Sequence, residues 1–159
     1  MVEIDIADKW QNRNVIEDAL LNDNVLKIIK DLHGEIYKIK KHYEVGGVEV
    51  DAILLCKRVK GYKYVGIELK QSDLKKAIIQ ATIRRPFFHY FYIVSELYNP
   101  HTYFGYEVEY LHKYKLLDRF KEYKIGWIST YKNQAFLIFP SFYSKLISNK
   151  IKDIIKDDV

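Results

Sequence analysis

Residues 48–70 read VEVDAILLCKRVKGYKYVGIELK. Two runs rich in β-branched and aromatic residues flank a short basic segment, the pattern of two strands joined by a turn. Lys57–Gly61 is too short for a helical crossover, so strands over Val48–Leu55 and Tyr62–Lys70 should pair antiparallel. A four-residue loop closed by a Lys57–Tyr62 pair sets a register that puts Asp51 opposite Glu68. Side chains directly opposite share a face, with Cβ atoms about 5 Å apart. Lys70 falls on the face of Glu68, because strand side chains alternate. Charges within apolar strands need partners, since an unpaired buried charge is costly.

Downstream, Ser72 or Asp73 can cap a helix whose apolar stripe is Leu74, Ala77, Ile78 and Ala81. Gln80 and Arg84 flank that stripe, and Pro86 ends or kinks the helix. Phe87–Val94, FFHYFYIV, reads as a buried strand parallel to the one before the helix, a βαβ unit. Ser95–Tyr106 is a loop rich in Tyr, His, Asn and Pro. Its rings suit base stacking, a dimer interface, or packing back on the domain. Glu107–Tyr123 is expected to be helical, with Val108, Leu111, Leu117 and Phe120 inward. Lys124–Thr130 and Ala135–Pro140 suggest a last hairpin turning at Asn133-Gln134, and Tyr143–Asp157 a final helix.

Upstream, Asn12 or Asn14 can cap a helix running to about Leu32. On a helical wheel Ile16, Ala19, Leu20 and Leu21 span an apolar arc that contains Glu17 and excludes Asp18. Glu17 therefore points toward whatever the helix packs on, beside Arg13 and Asn24, or sits at the stripe's edge paired with Arg13. Gly34 suits a helix C-terminus. A first strand is expected over 35–44, EIYKIKKHYE, turning at Gly46-Gly47.

The 159 residues fit one domain, with 48% hydrophobic and 30% charged residues. A net charge of +5 and a pI near 9.0 lean toward polyanions such as nucleic acid. The basic tip of the hairpin, Lys57, Arg58 and Lys60, can meet backbone phosphates, as can Arg13 and Arg84. Cys56 is the single cysteine, which excludes an intrachain disulfide and a Cys-cluster zinc site. The histidines, His33, His42, His89, His101 and His112, show no zinc-binding spacing, and His89 reads as a core residue. With no signal-like N-terminus and no long apolar run, a reducing cytoplasm is the expected compartment.

Phosphodiester hydrolysis needs a cation that offsets phosphate charge and acidifies a water. Asp51 and Glu68, with the backbone carbonyl of Leu69, would supply the oxygen ligands magnesium prefers. Lys70 would hold the attacking hydroxide or the transition-state charge. Glu17 could reach the outer shell through water, and Gln80 could orient Lys70 or a phosphate oxygen.

This arrangement resembles the PD-(D/E)XK nuclease superfamily, the restriction-endonuclease-like proteins that include Holliday junction resolvases and RecB-like nucleases. The likeness lies in VEVDAILL, GIELK and AIIQA, over about residues 12 to 94. The family's Asp corresponds to Asp51, its (D/E)XK to Glu68-Leu69-Lys70, its helical Gln to Gln80 and its first-helix Glu to Glu17. Val50 stands where the family name has proline, and Arg84 stands where exonuclease-like members carry tyrosine. The resemblance implies an α/β fold with an αβββαβ core, a mixed sheet flanked by helices, and residues 95–159 as a C-terminal hairpin and helices. It implies a Mg²⁺-dependent DNA endonuclease (Mn²⁺ substituting), acting as a homodimer. The alternative is a nucleic-acid-binding or assembly module on the same fold, without catalysis.

Overall fold

The computed structural model describes residues 15–71, 73–96, 109–148 and 150–152. Its strands are β1 (Glu35–Val45), β2 (Val48–Arg58), β3 (Gly61–Lys70), β4 (Tyr90–Glu96), β5 (Ile125–Tyr131) and β6 (Gln134–Phe139), joined in that order in one six-stranded sheet. β1, β2 and β3 are antiparallel neighbours, β3–β4 and β4–β5 are parallel, and β5–β6 is antiparallel, so the sheet is mixed. The helices are α1 (15–20), α2 (Asp23–His33), α3 (Leu74–Arg84), α4 (109–113) and α5 (Leu117–Glu122).

The strand alternation sorts apolar side chains into two cores. Ala52, Leu54 and Cys56 of β2 join Val65, Ile67 and Tyr92 against Leu20, Val25 and Ile29 of α1 and α2. Ile53 and Leu55 join Tyr64, Phe91, Ile93 and Trp127 against Leu74, Ala77, Ile78 and Ala81 of α3 and Phe120 of α5. The result is an α/β fold with helices on both faces of the sheet. No helix among the described residues is long and apolar enough to cross a membrane.

The β2–β3 register is the expected one. Lys57 pairs with Tyr62, and the ladder runs to Ala52↔Ile67. It also continues outward to Arg58↔Gly61, so the turn is the two residues Val59-Lys60 rather than a four-residue loop. Gly61, at φ +105°, supplies the left-handed backbone that this tight turn needs.

Elsewhere boundaries move for identifiable reasons. The N-terminal helix is not continuous. It breaks at Leu21-Asn22, where the Asn22 side chain accepts from the Asn24 and Val25 N–H groups and starts α2 afresh. The caps expected at Asn12, Asn14 and Ser72 lie outside the described residues, and Asp73 caps α3 by accepting from the Lys76 N–H. β4 begins at Tyr90 rather than Phe87, because Arg85–Phe87 forms a 3₁₀ turn through Pro86. Buried Arg85 holds that corner by donating to the carbonyls of Tyr123, Phe88, His89 and Phe142. The helix expected over 107–123 is split by Lys115 at φ +57°. The last turn is Lys132-Asn133, both left-handed, one residue before the expected place. Of the helix expected over Tyr143–Asp157, residues 143–148 have no regular structure and Lys150–Lys152 form a 3₁₀ turn; 149 and 153–157 lie outside the described residues, as do Val108 and 97–106.

His89 is a satisfied core residue. Its Nδ1 accepts from the Tyr64 N–H at 2.9 Å, and burial lowers its pKa to about 4. Cys56 is free and fully buried, its thiol pushed up to about 12 by burial.

Candidate active site

The β2–β3 ladder ends at Ala52↔Ile67, and the next position sets Asp51 opposite Glu68. Asp51 uses its side chain where the ladder stops: Oδ2 accepts the Leu69 N–H at 2.8 Å. On the other side of β2, Lys41 pairs with Ala52 and Tyr43 with Val50, which sets His42 opposite Asp51. His42 has φ +53°, uncommon for a residue with a side chain. Both strands thus leave regular pairing at the residues that carry the polar groups.

Glu17 comes from α1 and is inward as expected, 6% exposed. Among the described residues it meets His42; the expected pairing with Arg13 falls on a residue outside the described ones. His42 Nε2 meets Glu17 Oε2 at 2.8 Å, and Nδ1 meets Glu49 Oε1 at 2.9 Å. Glu17, His42 and Asp51 offer ligand atoms within 4.8 Å of one another, a geometry that suits a cation. Glu68 is not part of that trio.

Glu68 is 5% exposed at the carboxyl end of β3, the end at which ligands bind in open α/β sheets. Its carboxyl is pushed up to about 8, first by burial and then by the charge of Asp51; Arg84 and Lys70 pull it down less strongly. Arg84 Nε stands 3.9 Å from Glu68 Oε2. That distance counts as an ion pair only when Glu68 is ionised. Burial and the neighbouring Asp51 both favour the protonated form of Glu68. Arg84 is otherwise occupied, donating from Nε to the Glu49 carbonyl at 2.6 Å and from Nη1 to the Gln80 carbonyl at 3.1 Å. It is a brace of the site wall more than a free phosphate contact.

Lys70 is half-buried, two residues beyond Glu68 and close enough to act on its charge. Gln80 Oε1 is buried in α3 and finds no hydrogen-bond donor among the described residues. The basic tip is exposed but remote: Arg58 is seven residues along β2 from Asp51, roughly 23 Å. Arg58 donates to the Leu32 carbonyl, and Lys57 lies over the Tyr62 ring, so two of the three tip cations have contacts within the chain.

His42 and Glu49 went unrecognised in the sequence, where histidines were read by spacing along the chain. The signal was present in the first hairpin: pairing Val45 with Val48 across Gly46-Gly47 brings His42 to Asp51.

The donor set fits a divalent cation. Glu17, His42 and Asp51 supply two carboxylates and an imidazole, donor types that could hold a metal ion.

No family model and no curated protein matches the sequence. Among solved structures, the chain is similar to the SPO1766 protein of unknown function from Silicibacter pomeroyi, with 14% identity, 74% of this chain and 68% of that chain covered, and a TM-score of 0.48.

Proposed function

We propose that the protein is a metal-dependent nuclease that hydrolyses DNA phosphodiester bonds as an endonuclease, on a restriction-endonuclease-like core. The observation that carries this reading is the meeting of Asp51, Glu68 and Lys70 at the carboxyl end of β3, with Glu68 buried and its pKa raised by that burial and by Asp51. The order helix, three antiparallel strands, helix, parallel strand agrees with that core, as does the inward Glu17.

Asp51, Glu68 and the Leu69 carbonyl would hold Mg²⁺, or Mn²⁺ in its place. The cation, when bound, offsets phosphate charge and acidifies a water. Lys70 supplies positive charge beside the attacking hydroxide and the developing phosphorane charge. The Leu69 N–H fixes the Asp51 carboxylate, so it needs little reorganisation when substrate arrives. Arg84 ties α3 to Glu49 and adds positive potential for a phosphate. A chain of net charge +5 favours a polyanion on encounter. Cutting both strands calls for a two-fold homodimer.

The test is incubation with supercoiled, linear, single-stranded and four-way-junction DNA in Mg²⁺ and in Mn²⁺, beside Glu68→Ala and Lys70→Ala. The expected result is cleavage by the native chain that both substitutions abolish. DNA binding without cleavage of any substrate would refute the nuclease reading in favour of a binding module.

A further inference from the structure

We infer that His42 is a direct nitrogen ligand in a cation position formed with Glu17 and Asp51, and that it biases the site toward manganese over magnesium. The inference rests on the metal-dependent reading above and extends it to a residue on a different strand.

Three observations converge on His42. It belongs to a trio whose ligand atoms all lie within 4.8 Å, the other two being the carboxylates of Glu17 and Asp51, and its Nε2 is the nitrogen that meets Glu17, at 2.8 Å. Its Nδ1 is bonded to Glu49 Oε1 at 2.9 Å. A histidine that ligates a metal through one nitrogen almost always donates the other N–H to a carboxylate, carbonyl or water, which fixes the ring and strengthens it as a donor. Glu49 supplies that carboxylate, and its own backbone carbonyl is held by Arg84. The third observation is the backbone: within β1, opposite Asp51, His42 has φ +53°. Such a conformation costs on the order of 1–3 kcal/mol and tends to cluster at functional sites.

His42 Nε2 lies against Glu17 Oε2 and Nδ1 against Glu49 Oε1. A cation at Nε2 would take the place of the Glu17 contact there, while Nδ1 keeps its bond to Glu49. Glu17 and Asp51 then turn from acceptors into ligands, and water or phosphate oxygens fill the remaining positions. One imidazole among oxygen donors is a poor match for magnesium, which prefers oxygen throughout. Manganese lies above it in tolerance for nitrogen and keeps a similar coordination number.

The test uses Mn²⁺ alone with the full chain, read by pulsed electron paramagnetic resonance. The expected spectrum carries modulation from a directly bound imidazole nitrogen. That signal should persist in Glu68→Gln and vanish in His42→Asn, which keeps a side chain tolerant of left-handed backbone. Glu49→Gln should retain the coupling and weaken Mn²⁺ binding about tenfold. Added Mg²⁺ should displace Mn²⁺ more readily from His42→Asn than from the native chain. Circular-dichroism melts establish that each variant is folded. Mn²⁺ bound without nitrogen coupling, coupling that survives in His42→Asn, or no Mn²⁺ binding by the native chain would each overturn the inference. The two readings fail separately: coupling without cleavage of any DNA overturns only the nuclease, and cleavage without coupling overturns only the role of His42.

Discussion

Glu68 is the most exposed point of the reasoning, because its buried carboxyl should leave a signature in stability before any substrate is involved. Its pKa is raised from 4.5 to about 8, mainly by burial and next by Asp51. The folded chain therefore keeps a proton that the unfolded chain releases between those values. The sign follows: stability falls as pH rises from about 4.5 to about 8, and levels off above. At about 1.4 kcal/mol per pH unit, the gap sets a ceiling of about 5 kcal/mol. Water penetration and relaxation of the carboxyl reduce this, and about 2 kcal/mol is a realistic expectation. Glu68→Gln keeps the shape of the protonated acid and removes its titration. In metal-free buffer the variant should match the native chain near pH 4.5 and exceed it increasingly toward pH 8. For a domain of this size, the gain at pH 8 is about 4–8 °C in Tm. Paired melts at pH 4.5, 6 and 8 in chelator cancel the titration of all other groups. A variant less stable than the native chain at pH 8, or a difference independent of pH, would refute the account of Glu68 as a destabilised, site-forming acid.

Three further outcomes follow from particular contacts. Asn22→Ala should cost about 1 kcal/mol by removing the side chain that starts α2, read as a shift in urea midpoint. Gly66→Ala should cost about 1–3 kcal/mol, since a Cβ there would stand 2.5 Å from Phe91 and 2.8 Å from Phe88; the same melts measure it. His33 and His89 both titrate near 4 when folded, chiefly through burial. The unfolded chain binds their protons first, so they should lower stability as pH falls from about 6.5 to about 4. His89→Gln should flatten that acid limb in a pH series of denaturation curves.

The central hairpin was legible because its signals agree. Two strand-like runs, a turn too short for a crossover and alternation together fix the pairing of 51 with 68. The inward Glu17 was legible from the wheel, although α1 holds it apart from α2. What escaped was tertiary. Asn22 reads as one more polar residue on a helix until its side chain is seen accepting from the Asn24 and Val25 N–H groups. Arg85 reads as the charged end of α3, yet it is buried, donating to the nearby carbonyls of Phe88 and His89 and to those of the distant Tyr123 and Phe142. His42 has no local motif, since its partners come from α1 and across the first hairpin. Registers that run through turns are readable in a sequence; side chains that bridge elements far apart in it are not.

The strictly sequential order of the six strands has a consequence for synthesis on the ribosome. Every side chain gathered at the site comes from Glu17 to Arg84, and β1–β3 can pair as soon as they emerge. The aromatic wall behind α3 comes much later, from Phe120 and Trp127. At about 5–20 residues per second, the nascent chain spends some seconds with the site residues translated and their backing absent. During that interval Phe91 and Ile93, fully buried in the finished fold, lack their cover. Fragments ending near Glu96 should therefore hold every residue of the candidate site but associate through an uncovered sheet face.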